Sequence, residues 1–290
     1  MAVSGCLREA LPAEETNVSS FLKCKFVEKV REGLSSRRGG LAAEELSREL
    51  NKWRHDIASE LANRYSRGNI ANLLERARKH VDEAVKALEE LGYQVVVNKN
   101  YLTLTPLAIG LRNPYTEPLE IAIAWDPYMN LPYIPGSSLK GAVAALAYLR
   151  NSEWYTLLTG RAREPPAQLS PAAPQREQRA SPVIFLDAYP VIVLASSLLA
   201  VDTVNPHYRE VEGRVSEPES SPTPLSFLVV PGGVAFRIVV CAAGRWLRSY
   251  KGKPSFSELE TLIGQALSRG IGAKTSLGYG RFKPEHRDEI

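Results

Sequence analysis

Residues 41–92 repeat polar and apolar positions with the period of an α-helix. In the first part of this stretch, one apolar face is formed by Leu46, Leu50, Trp53, Ile57, Leu61 and Tyr65. The second part starts at Asn69, carries a longer apolar stripe, and ends at Gly92, where a glycine C-cap belongs. The pattern predicts a helical hairpin, and residues 21–34 predict one further helix before it.

From residue 93 onward the pattern changes to short runs of β-branched and aromatic residues. Strands are predicted at 93–97, 101–109, 119–125, 183–187, 191–201, 224–230, 234–241 and 279–283, and helices at 138–150 and 256–267. Pro231, Gly232 and Gly233 separate two of these strands, which predicts a hairpin between them. This order of elements predicts an α+β fold, with a ferredoxin-like sheet and helices packed on one of its faces.

The change of pattern predicts a domain boundary. We expect residues 1–92 to form a helical N-terminal extension and residues 93–290 to form the α+β domain. Two proline-rich segments, near 161–182 and 210–222, interrupt the second part. Their composition predicts loops, since polar, proline-rich segments bury too little apolar surface to fold by themselves.

Composition narrows the class of protein. With 290 residues, 44% of them hydrophobic, the chain can bury one sizeable core or a core plus a helical subdomain. A net charge of +4 permits a polyanionic partner but is too low for a stand-alone nucleic-acid binder, so any such binding must be local. The three cysteines lack CxxC spacing, and we expect no disulfide, no metal site and no cofactor.

The N-terminal residues do not predict a targeting segment. Glu9, Glu14 and Glu15 lie where a signal peptide would have a basic region followed by an apolar one. The longest apolar run, 191–201, is interrupted by Ser196 and Ser197 and is too short to cross a bilayer. We therefore expect a cytoplasmic location and no membrane association.

Two segments have the composition of anion-binding loops. The first, residues 132–141, reads PYIPGSSLKG and leads into the predicted helix at 138–150. Ser137 or Ser138 is predicted to cap that helix. The N–H groups of a first helical turn have no partner within the helix, so together with Lys140 they suit a phosphate. An ordinary capped helix is the alternative interpretation of this segment.

The second segment, residues 270–280, reads GIGAKTSLGYG. Its four glycines, Gly272 and Gly278 among them, allow a ligand to approach the backbone closely, while Lys274 and Arg281 add positive charge. Tyr279 is predicted either to stack on a base or to pack in the core. Since residue 273 is alanine, the segment is not a Walker A loop, and it follows a helix, unlike a dinucleotide-binding loop. A glycine-rich hairpin is the alternative.

The two motifs, in this order, resemble the RAMP superfamily of CRISPR-associated RNA-binding proteins. That superfamily carries an IPGSSLKG-like turn, matched at 134–141, and a loop of the form GxGxKxxxGYGxF, matched at 270–282. Between them, DTVNPHY at 202–208 and PTPLSFL at 222–228 are similar to segments of type III-B (Cmr) effector subunits. The resemblance covers roughly residues 95–283.

The resemblance implies a fold, partners and a role. The fold is a ferredoxin-like (RRM-like) RAMP domain with an N-terminal helical extension. The partners are guide RNA (crRNA), its duplex with target RNA, and the other RAMP subunits of the Cmr complex. The role is a non-catalytic scaffold in antiviral defence that binds the 3′ region of the guide and caps the stack of subunits. The RNA-binding candidates are Ser137, Ser138, Lys140, Gly272, Lys274, Thr275, Gly278, Tyr279, Arg281 and His207.

Catalysis is the first alternative, because some RAMP relatives cut RNA with a histidine and without metal. His55 and His80 are predicted on helix surfaces and His286 in a charged tail, which leaves His207. His207 is predicted to fix a turn or contact a subunit, to contact RNA, or to be the catalytic residue of a guide-processing endoribonuclease. No DxD motif predicts a metal-dependent nuclease. A second alternative is a protein-interaction module built on the N-terminal helical hairpin.

Overall fold

A computed structural model of the chain describes residues 13, 16–35, 43–111, 113–119, 121–161, 180–204, 209–211, 214–216, 224–251 and 254–285. The helices in these ranges are α1 Val18–Ser35, α2 Ala43–Arg64, α3 Ala71–Glu90, α4 Gly136–Leu149, α5 Trp154–Thr159, α6 Gly244–Ser249 and α7 Phe256–Arg269. The strands are β1 Tyr93–Thr103, β2 Trp125–Asp126, β3 Leu131–Pro132, β4 Val183–Phe185, β5 Pro190–Val193, β6 Ala200–Val204, β7 Arg209–Val211, β8 Arg214–Ser216, β9 Leu225–Val229, β10 Val234–Ala243 and β11 Phe282–Pro284.

The chain divides into two compact units, each assembled from three segments. The first comprises residues 1–73, 108–132 and 193–231, and the second comprises 74–107, 133–192 and 232–290. The predicted boundary at residue 93 comes from a pattern of local structure, whereas these units come from packing. The boundary at residue 93 remains a prediction.

In the first unit, helix α2 packs on α1 and on the two-stranded sheet of β6 and β9. Tyr65 is fully buried and contacts two other residues of this unit. Its ring meets Trp125 edge to face at 5.3 Å, and its hydroxyl donates to the backbone oxygen of Asn130 at 3.1 Å. Asn130 in turn donates to the backbone oxygens of Ala13 and Thr16 at 2.8 Å each. A buried tyrosine needs such a partner for its hydroxyl.

The second unit is built on an antiparallel sheet. Its strands lie in the order β11-β1-β10-β4, and β5 also pairs with β10. Helix α7 packs against β1 and β11, and α4 packs against α5, α7 and β4. The largest fully buried side chains of this unit are Trp154, Phe236 and Phe282. Strand β10 is almost wholly buried, as its apolar sequence requires of a central strand.

The helices predicted from periodicity are confirmed. The three N-terminal helices, α4 and α7 all occur within a few residues of their predicted bounds. Gly92 adopts φ +84° two residues after the end of α3, as expected of a C-cap glycine. No helix in the described part of the chain is long and apolar enough to cross a membrane.

Several strand predictions are wrong. Strand β1 is continuous and ends at Thr103, and most of 119–125 is irregular, although Ala124 N–H still donates to Ile109 at 2.7 Å. The predicted hairpin does not form either, since β9 pairs with β6 and β10 pairs with β1. The Pro-Gly-Gly segment instead docks on the end of β1, where Gly233 N–H donates to Thr103 at 2.8 Å.

Candidate nucleic-acid interface

The first loop leads into helix α4 as predicted, but the helix begins earlier than its sequence indicates. Gly136 is the first helical residue and Pro135 occupies the N-cap position, so the predicted serine cap is wrong. The backbone N–H of Gly136 donates to Asp187 Oδ1 at 2.7 Å. A side chain on Gly136 would lie 2.2 Å from the backbone oxygen of Phe185, so only glycine fits against strand β4. Asp187, in the segment after strand β4, therefore caps the helix in place of Ser137 or Ser138.

This cap changes how the helix terminus can bind an anion. One of its N–H groups is used by a carboxylate, which also places a negative charge at the positive end of the helix. Ser137 and Ser138 lie in the first turn and are exposed. A phosphate at this site would therefore be bound by the two hydroxyl-bearing residues of the turn and not by the Gly136 N–H group.

Lys140 lies on the next turn and is half-buried. Its ammonium group donates to the backbone oxygen of Val183 at 2.7 Å and so ties α4 to β4. Burial lowers the pKa of Lys140 from its usual value, because desolvation disfavours the charged form. An ammonium group has three N–H donors, so this bond leaves donors that can meet a phosphate.

The second loop joins α7 to β11, and its own backbone bonds fix its two ends. Ile271 N–H donates to Gly280 at 2.9 Å, Gly280 N–H to Pro106 at 2.8 Å, and Arg281 N–H to Thr105 Oγ1 at 3.0 Å. Gly280 adopts φ +68°, and a side chain there would lie 2.0 Å from the oxygen of Ile271. A glycine is therefore required at the base of the loop. At the base of the loop, Gly280 serves to fix the backbone conformation and not to admit a ligand.

The tip of the second loop carries half of the predicted contact residues. Gly272 and Gly278 adopt φ +86° and +91°, and Lys274 is left-handed at φ +58°. Thr275 opens a short 3-10 turn, 275–277, and is partly exposed. The Lys274 ammonium group lies over the Tyr279 ring, 5.8 Å from its centroid, at the distance of a cation–π contact. The sequence therefore brings this cation and this aromatic together.

Leu277, an exposed residue of this tip, was not singled out from the sequence. Leu277 is 70% exposed and lies close in sequence to Lys274 and Tyr279. The three unspecified positions of the GxGxKxxxGYGxF pattern gave no signal for it. The Arg281 side chain is exposed, as a phosphate-contacting residue must be.

His207 and His286 lie outside the described residues, as do the proline-rich segment at 162–179 and most of the one at 210–222. His55 and His80 are exposed on α2 and α3, as predicted. Among the described residues, no three His, Cys, Asp or Glu side chains are placed so that they could hold a metal ion.

The chain is an α+β protein that carries both loop motifs of the RAMP pattern, at 134–141 and 270–282, in its second unit. A match to the RAMP superfamily covers residues 100–283. The chain belongs to that superfamily.

Two curated relatives carry the name of one Cmr subunit, and a chain of a solved Cmr complex has a similar fold. "CRISPR system CMR subunit Cmr6" of Saccharolobus solfataricus is 29% identical over 72% of this chain and 64% of its own length. "CRISPR system Cmr subunit Cmr6" of Pyrococcus furiosus is 33% identical over 37% of this chain and 32% of its own. A chain in the cryo-EM structure of the type III-B Cmr-beta complex bound to cognate target RNA superposes with a TM-score of 0.68 at 25% identity. That match covers 94% of this chain and 92% of the other. The resemblance to Cmr subunits is confirmed.

Proposed function

We propose that the chain is an RNA-binding scaffold subunit of a type III-B (Cmr) CRISPR effector complex. In this proposal it binds the backbone of the guide RNA near its 3′ end, in contact with the guide–target duplex, and caps the stack of RAMP subunits. The likeness over 94% of the chain to a chain of a Cmr complex bound to target RNA carries the proposal. The cytoplasmic location expected from the sequence belongs to the same proposal.

The strand order supports a ferredoxin-like core. The sheet order is β11-β1-β10-β4. With the elements inserted between them left out, the chain order is strand, helix, two strands, helix and strand, formed by β1, α4, β4, β10, α7 and β11. This βαββαβ arrangement is the one that defines the ferredoxin-like fold. Helices α1 to α3 precede it in the chain, and we propose that they form the N-terminal extension.

The proposed RNA contacts lie on two loops of this core, the one that leads into α4 and the one between α7 and β11. Ser137, Ser138 and Lys140 contribute hydroxyl and ammonium donors, and Lys274, Thr275 and Arg281 contribute the same kinds of group at the second loop. Such contacts to phosphate fix the position of an RNA strand without reading its bases. A guide RNA, whose sequence varies, requires that property. Gly272 and Gly278 give the second loop the backbone shape that presents these donors.

We further propose that the chain is not an enzyme. General acid–base catalysis on RNA needs a histidine held within hydrogen-bond reach of the reacting hydroxyl. His207 is the one histidine in the segment similar to Cmr subunits, and a turn-fixing or RNA-contacting role is assigned to it here. The competing function, guide processing with His207 as catalytic residue, predicts metal-independent cleavage of repeat RNA that His207→Ala abolishes.

A binding experiment tests the proposal. Lys140→Gln and Lys274→Asn are combined, because glutamine retains a donor for Val183 and asparagine tolerates the left-handed backbone. The matched control, Arg48→Ala with Lys52→Ala, removes two exposed charges from α2. We expect the first variant to lose guide RNA from the reconstituted complex while the control retains it. Equal RNA content in both variants would contradict the proposed surface.

A further inference from the structure

The segment 244–251 combines aromatic and cationic side chains, and no function has been assigned to it above. It reads GRWLRSYK and covers helix α6 and the two residues after it. Arg245, Arg248 and Lys251 are exposed, and the segment contains no carboxylate. Trp246 and Tyr250 are half-buried between these cations. Interleaved cations and aromatics are typical of surfaces that bind single-stranded nucleic acid.

These aromatic residues form one wall of a cavity of about 500 Å³. The ring centroids of Trp246 and Tyr250 lie 4.7 Å apart, and those of Tyr250 and Phe256 lie 5.1 Å apart. Glu153, directly before α5, and Thr156 and Leu157, within α5, also line the cavity. The volume is in the range of protein sites for small organic ligands. All of these residues belong to the second compact unit.

The polar groups of the cavity call for a polar ligand. Thr156 and Ser249 bring hydroxyls to its lining, and Glu153 brings a carboxylate. The Tyr250 hydroxyl is buried without a hydrogen-bond partner among the described residues. The Ser249 hydroxyl also donates to the backbone oxygen of Trp246 at 2.9 Å, and Glu153 is exposed to solvent. The three cations of the segment favour an anionic ligand over the apolar anchor of a protein partner.

We infer that this cavity binds one unpaired nucleotide of single-stranded RNA. The base stacks on Trp246, since every base has a π-face and stacking tolerates any sequence. Glu153 accepts from a base amino group, which fits guanine, adenine or cytosine better than uracil. Lys251 lines the cavity and meets the phosphate, while Arg245 and Arg248 contact the flanking backbone. This site uses none of the residues of the two loops, and it does not rest on the guide-backbone proposal.

The test uses the full chain and three labelled RNA octamers, oligo-A, oligo-C and oligo-U, with affinity measured by fluorescence anisotropy. Trp246→Leu keeps an apolar wall but removes the stacking face. We expect it to weaken oligo-A binding by about 5- to 150-fold, the effect of losing one stacked base. Arg248→Ala with Lys251→Ala is the second variant, since two exposed residues can be changed without loss of folding. Its matched control is Arg48→Ala with Lys52→Ala on α2.

A photo-crosslinking measurement locates the contact. An oligo-C octamer carrying one 5-iodocytidine is expected to crosslink within residues 246–251, in wild-type protein and in the Lys140→Gln/Lys274→Asn variant alike. Crosslinks elsewhere, together with less than a twofold effect of both cavity variants, would overturn the inference. So would a tight preference for oligo-U. Loss of RNA binding only in the Lys140/Lys274 variant would show that the octamers bind at the two loops, and it would overturn the inference that the cavity binds RNA.

Discussion

The carboxylate of Asp187 accepts a 2.7 Å hydrogen bond from the backbone N–H of Gly136, at the first residue of helix α4. This contact places a negative charge beside Ser137 and Ser138, where the proposed function places an RNA phosphate. A carboxylate and a phosphate at one helix terminus compete for the same positive potential. Asp187 therefore stabilises the fold of the loop at some cost to anion binding.

The first prediction separates these two effects of Asp187. Asp187→Ala removes the cap and is expected to lower the free energy of unfolding by about 0.5–2 kcal/mol. Asp187→Asn keeps a carbonyl oxygen for Gly136 and removes the charge, so its stability loss is expected to be smaller. We expect its affinity for single-stranded RNA to rise about threefold, the effect of one charge about 6 Å away in water. Urea unfolding and anisotropy titrations measure the two effects, and an Asp187→Asn variant that binds RNA more weakly would contradict this reasoning.

The second prediction concerns two glycines of the loop between α7 and β11. Both have positive φ, but a side chain at Gly280 would meet the oxygen of Ile271 at 2.0 Å, whereas a side chain at Gly278 would meet nothing within 4 Å. Gly278→Ala is expected to cost about 1–2 kcal/mol, from its left-handed backbone alone. Gly280→Ala is expected to cost at least about 3 kcal/mol, because two backbone bonds of the loop base must also shift. Equal losses of unfolding free energy in the two variants, measured by urea unfolding, would contradict a rigid base of this loop.

The third prediction is a loss of stability at alkaline pH through Tyr101. Burial, and secondarily the charge of Glu260, raises the pKa of Tyr101 to about 12. The usual value is 10, so between pH 10 and 12 the unfolded chain loses this proton while the folded protein keeps it. Stability is therefore expected to fall across this window by roughly 2–3 kcal/mol in total.

Tyr101→Phe isolates this contribution. The variant is expected to lose less stability than the wild type between pH 10 and 12 in urea unfolding. Tyr128→Phe is the matched control, since Tyr128 is 85% exposed and its hydroxyl is solvated in both states. A Tyr101→Phe profile parallel to that of the wild type would mean that burial does not hold this phenol neutral.

The fourth prediction concerns the salt dependence of RNA binding. Lys274→Asn removes one cation and keeps the left-handed backbone. We expect the slope of log affinity against log salt to decrease by about 0.7 for single-stranded RNA, the contribution of one phosphate contact. The effect should be the same for oligo-A and oligo-C, because phosphate contacts read no sequence. Lys52→Ala, on α2, is expected to leave the slope unchanged.

The helices could be predicted from the sequence because their signal is local. An apolar stripe with a 3.6-residue period, as on α2 and α3, indicates which face of the helix is buried, whatever element packs against it. The two loop motifs were likewise recognisable from their own residues. Strand pairing was not, because β9 and β10 have similar apolar sequences and only packing decides that β10 lies beside β1. A proline-glycine segment between two strands does not by itself make a hairpin.

The missed details of the site depend on contacts between residues distant in sequence. Asp187 caps Gly136 from 51 residues away, and Lys140 reaches Val183 across 43. Nothing near Gly136 in the sequence indicates that a carboxylate from another segment takes the place of Ser137 or Ser138 as cap. For the same reason Lys140 could be predicted as a cation near the loop but not as a tie between α4 and β4.

Affinity purification of the tagged chain from its native host tests the central claim most directly. Co-purifying proteins are identified by mass spectrometry, and bound small RNA is sequenced. We expect the other RAMP subunits of a Cmr complex, together with repeat-derived guide RNA whose 3′ region crosslinks to this chain. Recovery of the chain alone, or with partners but without guide RNA, would contradict the proposal that it is an RNA-binding scaffold of such a complex.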